Sequence, residues 1–328
     1  MIKYLDIIAK QFHNENYYFL VLLFMVTVYP FIVIPGPLPY FYGPRYIVLA
    51  LVSIIALVIL IKNGINYIRK ADIVLLMFML FLFVSTFLSE NTAIAWGGNS
   101  LRFTGASTYL FCGILFVLAS RIDVKKRRSL IEPMIYAAAV VSIIAILQNY
   151  GINPVPHEEY RASFHSYGTI GNPNFLGSYT VFILPAAMMM YLHQKKYIWL
   201  VCSGLIFTAL LTSLTRGAWL GFAGIAVIIA YYVYKNKELR KRYLLIIAVF
   251  IISFILLSIT SNLKPAERAS TISVEVANVA EYTDTSASIR VYVWQESLQI
   301  LKENWAFFWK AWRHIVVTKL PRKNCKKA

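Results

Sequence analysis

Residues 197–234 read YIWLVCSGLIFTALLTSLTRGAWLGFAGIAVIIAYYVY. Two apolar runs, 197–214 and 217–234, flank a single cation, Arg216. Each run approaches the roughly 20 residues of helix that a hydrocarbon core requires. The stretch therefore reads as two apolar helices joined by a short turn, with an arginine in the turn. The rest of the chain repeats this pattern.

Of the 328 residues, 59% are hydrophobic and 14% are charged. That balance is too apolar for an ordinary soluble domain. Runs of similar character recur at 18–35, 45–61, 71–89, 106–120, 130–149, 173–192 and 243–260. The expected fold is an all-α integral membrane protein with about nine transmembrane helices. Pro30, Pro133 and Pro185 are expected to kink the helices that carry them. The opening MIKYLDIIAKQFHNENYY is amphipathic and has no small-residue cleavage site, so the first span is expected to be retained.

The net charge of +17 is unevenly placed. One set of alternate loops holds Lys62, Arg69 and Lys70; then Arg121, Lys125, Lys126, Arg127 and Arg128; then Lys195 and Lys196; then Lys235, Lys237, Arg240, Lys241 and Arg242. The other set holds one cation per loop: Arg45, Arg102, Arg161 and Arg216. By the positive-inside rule the first set is cytoplasmic. The N-terminus, with Lys3 and Lys10, is then cytoplasmic, and the segment beyond about residue 261 is extracytoplasmic. The basic charge is a topology signal and does not call for nucleic acid. Cys112, Cys202 and Cys325 show no metal or disulfide spacing, and the five histidines stand singly. No glycine-rich nucleotide loop follows a strand, so no metal and no cofactor are expected.

All four outer cations are arginines. A guanidinium grips phosphate with a rigid fork of donors and stays charged, whereas a solvated lysine suffices to mark topology. Arg45, after the turn-rich PGPLPYFYGP, reads as a residue that snorkels toward the headgroups. Arg102, Arg161 and Arg216 lie among glycines and polar residues and read as functional. Two outer loops, AWGGNSLRFTGAS (95–107) and EEYRASFHSYGTIGNPNFLGSY (158–179), mix aromatic residues with Gly, Ser, Thr and Asn. Trp96, Phe103, Tyr160, Phe164 and Tyr167 suit either a sugar face or an interfacial belt. Asn172 or Asn174 is expected to cap the helix that follows.

WGGNSLRFTG, RASFHSYGTIGNPNFLGSY, LTSLTRGAWLGF and SIRVYVWQESLQILKEN occur in that order between residues 96 and 304. This sequence resembles the O-antigen ligase and polymerase family of bacterial envelope enzymes. The resemblance implies a metal-independent, inverting glycosyltransferase of the cytoplasmic (inner) membrane. Its donor would be a glycan on an undecaprenyl-diphosphate carrier, and its acceptor a hydroxyl of a glycan, lipid or protein. It implies Arg216 and Arg290 as ligands of the substrate diphosphate, with Arg102 and Arg161 matching further arginines of the pattern. Asn172, Asn174 and Trp96 are the expected glycan or loop contacts. The family's base is a histidine on a later outer loop; His314 stands in unlike surroundings, and His157 and His165 read as loop residues, so the catalytic base is unassigned.

Three segments are expected: a transmembrane bundle over 1–262, an extracytoplasmic amphipathic segment over 263–304, and a basic tail over 305–328. In the second, Ala287, Val291, Trp294, Leu298 and Leu301 recur on one helical face, and Asp284 or Ser286 would cap the helix. The tail WAFFWKAWRHIVVTKLPRKNCKKA holds seven cations and no acid. It does not match the family, which suggests a truncated or frame-shifted and inactive product. A transporter or flippase of lipid-linked glycans and a non-enzymatic membrane protein are the competing classes. Cysteines placed at 216 and 240 should react with a membrane-impermeant maleimide from opposite sides of the membrane. Labelling of both from one side would overturn the topology.

Overall fold

A backbone surrounded by hydrocarbon must satisfy its own N–H and C=O groups, and an α-helix does so within one segment. The computed structural model describes residues 16–63, 69–156, 166–261, 265 and 286–303, and all regular structure among them is helical. We number the helices α1 (Asn16–Phe31), α2 (Gly43–Asn63), α3 (Lys70–Phe87), α4 (Thr92–Gly97), α5 (Ala106–Arg121) and α6 (Val124–Arg128). They continue as α7 (Ile131–Asn149), α8 (Pro173–Gln194), α9 (Tyr197–Thr212), α10 (Arg216–Lys235), α11 (Lys237–Thr260) and α12 (Ser286–Glu303). Six segments are long and apolar enough to cross a membrane: α2, α3, α6 with α7, α8, α10 and α11. Helices α1, α5 and α9 are apolar but shorter. Each apolar run of the sequence falls on one of these helices.

The helices differ in what covers them. In α8 half of the most apolar window is buried by protein, whereas in α3 only 11% is. Val74, Leu76, Leu80 and Phe87 of α3 and Leu220, Val227 and Ile228 of α10 face outward. Apolar surface of that extent requires a lipid solvent. The chain is accordingly a multi-pass membrane protein. Its main core joins α7 to α11 through Ile135, Ile183, Met188, Trp199, Ile206 and Ile246. A second core joins α1, α2 and α5 through Tyr18, Ala56, Leu60 and Leu118.

Contacts between helix ends sort the connections onto two faces. On the basic face, Arg121 pairs with Asp72 at 2.6 Å, and both side chains are nearly buried. Arg69 donates to the Ser120 carbonyl and Arg242 to the Leu192 carbonyl. These arginines tie helix ends together, so they are more than the solvated charge markers that the sequence suggests. Trp199 Nε1 donates to Gln194 at 2.9 Å, and Gln194 to Glu132 at 3.3 Å.

The opposite face is built around irregular backbone. Pro30 closes α1 with a 3-10 turn, Tyr29–Phe31. Gln148, at the end of α7, accepts from the Tyr167 and Gly168 N–H groups at 3.1 and 2.7 Å and donates to the Gly168 carbonyl at 3.1 Å. Asn149 donates to Ser261 at 2.8 Å, joining α7 to the end of α11.

Arg45 corrects the snorkelling expectation. It is 8% exposed and directed inward. Its guanidinium donates to the carbonyls of Pro30 (2.8 Å), Ile32 (3.1 Å), Ile170 (3.1 Å) and Thr169. Irregular backbone offers carbonyls with no helical donor, and a buried guanidinium needs acceptors. Each satisfies the other.

Gly171 packs beside this knot with φ +88°, and a Cβ there would stand 2.4 Å from Phe41 Cγ. Gly171→Ala should lower stability by about 1–3 kcal/mol, read as a fall in thermal midpoint of the purified protein. Gly36→Ala, where a Cβ meets open space, serves as the control and should leave the midpoint in place.

Candidate functional site

Asn172 and Asn174 stand at the first turn of α8, and the Arg216 turn and Arg102 approach it from two sides. Asn172 is the cap: its side chain accepts from the Asn174 N–H at 2.9 Å. Pro173 occupies the first helical position, where its missing N–H costs nothing. Asn174 and Phe175 then project from the turn and are exposed. Of the two asparagines offered as caps, Asn172 takes the role and Asn174 keeps its side chain for contact.

Arg216 arrives from the neighbouring turn. Leu214 adopts a left-handed φ of 51°, which lets α9 reverse into α10 within three residues. Ser213 Oγ donates to the Leu210 carbonyl at 2.7 Å and Trp219 Nε1 donates to the same carbonyl at 3.0 Å. The tryptophan thus staples the start of α10 to the end of α9. Thr215 Oγ1 lies 3.1 Å from the Pro173 carbonyl and 3.4 Å from Asn174 Oδ1. Gly177 permits this approach, since a Cβ there would meet Thr215 Cβ at 2.9 Å. Each residue of TRGAW has a physical task. Thr215 holds the turn to α8, Ala218 is buried, Trp219 closes the turn, and Arg216 stands half-buried between them. Gly217 faces open space, with no atom within 4 Å of where its Cβ would be.

Arg102 arrives from the other side. Asn91 caps α4 by accepting from the Ile94 N–H at 3.1 Å. Gly98, with φ +81°, ends that helix, and Gly105 packs so tightly against it that a Cβ would stand 2.3 Å from Gly98 N. Residues 98–105 therefore form a closed loop with Arg102 on it. Asn99 shapes the loop by accepting from the Arg102 and Phe103 N–H groups at 2.9 and 2.8 Å. Phe103 stacks on Tyr46 at 5.0 Å, and the Tyr46 hydroxyl lies 2.8 Å from Ser107 Oγ. The exposed Arg102 guanidinium lies 5.9 Å from the centre of the Phe175 ring.

Arg102 and the Arg216 turn thus both reach the first turn of α8, one through Phe175 and the other through Pro173 and Asn174. Helix N-termini favour anions, and two arginines add formal charge there. Trp96 is exposed and stacks on Phe83 of α3 at 5.9 Å, while its carbonyl accepts from Ser107 at 2.9 Å. Arg161, His157 and His165 lie outside the described residues, as does His314. Arg290 belongs to α12, whose helical backbone runs from Ser286 to Glu303 as the spacing predicts; its side chain is outside the described residues. Among the described residues no cluster of His, Cys, Asp or Glu could hold a metal ion.

Sequence reasoning missed Gln148, Thr215 and Tyr46. Gln148 and Thr215 hold backbone of the segment around α8's start, and Tyr46 holds Phe103 and Ser107. Only the contact of Thr215 with the Asn-Pro-Asn turn had a signal, in its adjacency to Arg216.

Comparison with known proteins bears on the second half of this site. Residues 201–309 match the model of the O-antigen ligase family. No curated protein and no solved structure matches the chain. The matched segment spans most of α9, all of α10 to α12, and with them the Thr-Arg-Gly-Ala-Trp turn and Arg290. The similarity to the O-antigen ligase family thus covers residues 201–309, about a third of the chain.

Proposed function

We propose that the chain transfers a glycan from an undecaprenyl-diphosphate carrier to an acceptor hydroxyl at the outer face of the bacterial cytoplasmic membrane. The observation that carries this reading is the meeting of Arg102 and the Arg216 turn at the head of α8, on the face that lacks lysine in its connecting loops. All nine apolar helices cross the bilayer in this reading, with the N-terminus cytoplasmic and α12 extracytoplasmic. The donor's lipid tail lies in the hydrocarbon and its diphosphate at the surface, level with the arginines.

The chemistry needs charge stabilisation more than proton transfer to the leaving group. The acceptor oxygen attacks the anomeric carbon, the bond from that carbon to the diphosphate oxygen breaks, and the configuration inverts. Negative charge grows on the departing carrier diphosphate. Arg216 and Arg290 hold it, with Arg102 and Arg161 adding charge from the other loops. One charge-assisted hydrogen bond is worth about 1.5–3 kcal/mol, so each arginine supplies one to two powers of ten if its bonds strengthen in the transition state. The acceptor's proton passes to a base not assigned among the described residues. Asn174 and Trp96, both exposed, supply an amide and an aromatic face for the sugar.

A transporter of the same lipid would place ionisable side chains midway along its helices. The well-buried ones described here, Arg45, Asp72 and Arg121, stand in first or last turns and are engaged there. The geometry favours transfer.

Lysine at 216 keeps the charge and loses the fork. Arg216→Lys should therefore lower glycan transfer from a lipid-diphosphate donor roughly 10- to 10²-fold; unchanged transfer would remove the diphosphate grip from consideration. Gly217→Leu fills only open space, so the thermal midpoint should hold while transfer falls. A variant that transfers at the normal rate would show that no substrate passes Gly217.

A further inference from the structure

Arg45 is the most deeply buried of the arginines whose side chains are described, yet it lies outside the proposed transfer site. Four carbonyls surround its guanidinium, two at the end of α1 and two in the turn before α8. Thr169 Oγ1 strengthens the same junction by donating to the Pro30 carbonyl at 2.7 Å. The Tyr42 hydroxyl adds a contact to the Gly171 carbonyl at 3.4 Å. From the far side, Gln148 holds residues 167 and 168. The turn 167–171 is thereby gripped from both sides, and Asn172 follows it directly. Between Ile170 and Asn174 the chain has only four residue steps, so movement of the turn displaces the head of α8.

We propose that Arg45 is a positioning residue of the transfer site. By holding the Thr169 and Ile170 carbonyls against the end of α1, it sets where Asn172 and Asn174 stand. Through the Thr215 contacts with Pro173 and Asn174 it also sets where Arg216 meets a diphosphate-linked donor. The inference rests on the site described under Proposed function. Its physical basis is directional: a guanidinium has five donors in a fixed plane, and four are committed to carbonyls from two separate segments. Lysine in the same place has a point charge and no plane.

The test uses the full chain, purified in lipid nanodiscs, with Arg45→Lys, Arg45→Met and Thr169→Val. The first readout is transfer as a function of donor concentration, with an undecaprenyl-diphosphate-linked glycan. Displacement of catalytic groups by about 1 Å costs roughly 10²-fold. Arg45→Met should approach that loss in kcat/KM for the donor, Arg45→Lys should fall between it and the starting protein, and the acceptor KM should stay unchanged. The second readout does not depend on activity. In a background lacking Cys112, Cys202 and Cys325, a cysteine at Asn174 is labelled with maleimide, and a cysteine at the exposed Lys125 of α6 serves as reference.

Arg45→Lys should change the labelling rate at 174 several-fold and leave that at 125 alone. Equal rates at 174 in both backgrounds would overturn the proposal. So would an increase at both positions together, which marks general loosening of the fold. If both Arg45 variants fail to fold, Thr169→Val decides, since it removes one bond of the same junction. A changed rate at 174 sustains the proposal and an unchanged rate defeats it. A starting protein that transfers no glycan, yet shows the labelling change at 174, would sink the transfer reading while leaving Arg45 as the holder of the turn.

Discussion

Irregular backbone inside an apolar body needs partners for every N–H and C=O, and this constraint organises the end of the bundle where α8 starts. The helices meet it internally. The segments 29–33 and 166–171 cannot, because they turn where neighbouring residues bury or half-bury them. Arg45 supplies donors to four of their carbonyls, and Gln148 supplies both a donor and an acceptor to Tyr167 and Gly168. With those two side chains in place, an ordered non-helical turn survives at the edge of the bundle. That turn delivers α8 with its first residues exposed.

The site follows from this placement. A helix start that is exposed on one side and packed on the other can receive two loops without burying them. The 98–105 loop reaches Phe175, and the 213–216 turn reaches Pro173 and Asn174. Both are stiff for local reasons: close packing of Gly98 on Gly105 in the first, a left-handed Leu214 and the Trp219 staple in the second. Charge is presented on rigid supports, which suits the binding of a diphosphate better than charge on a flexible loop. The lipid-facing surfaces of α3 and α10 complete a body whose polar work is confined to helix ends.

The helices were legible because a hydrocarbon solvent imposes a length and a composition on each crossing. The apolar runs from 18–35 to 243–260 each coincide with a helix, and the apolar periodicity of 287–301 coincides with α12. Asn172 was legible as one of two caps, since an amide before Pro at the first helical position has a local partner. The TRGAW turn was legible as a motif and its resemblance is borne out over the matched domain. Arg45 was misread. Its sequence neighbours describe a helix start near an interface, where snorkelling is the ordinary behaviour. Its partners are carbonyls, and every residue has one, so composition gives no hint of which carbonyl lies near. Two of the four sit more than 120 residues away. Arg69 and Arg242 escaped for the same reason, as each serves a carbonyl at a helix end that folding brings beside it, and Arg121 because its partner, the Asp72 carboxylate, lies on another helix.

Sequence alone therefore determined the helical membrane class of the protein, the extent of its helices, the confinement of loop lysines to one set of connections and a family resemblance that the match over residues 201–309 supports. These depend on local composition and on spacing along the chain. Tertiary structure decided which arginine is internal and which are presented, which asparagine caps α8, and that the Arg102 loop and the turn before Arg216 reach one helix start. These depend on where distant carbonyls, rings and turns come to rest. Such positions are set by packing between helices, a property that no single stretch of sequence contains.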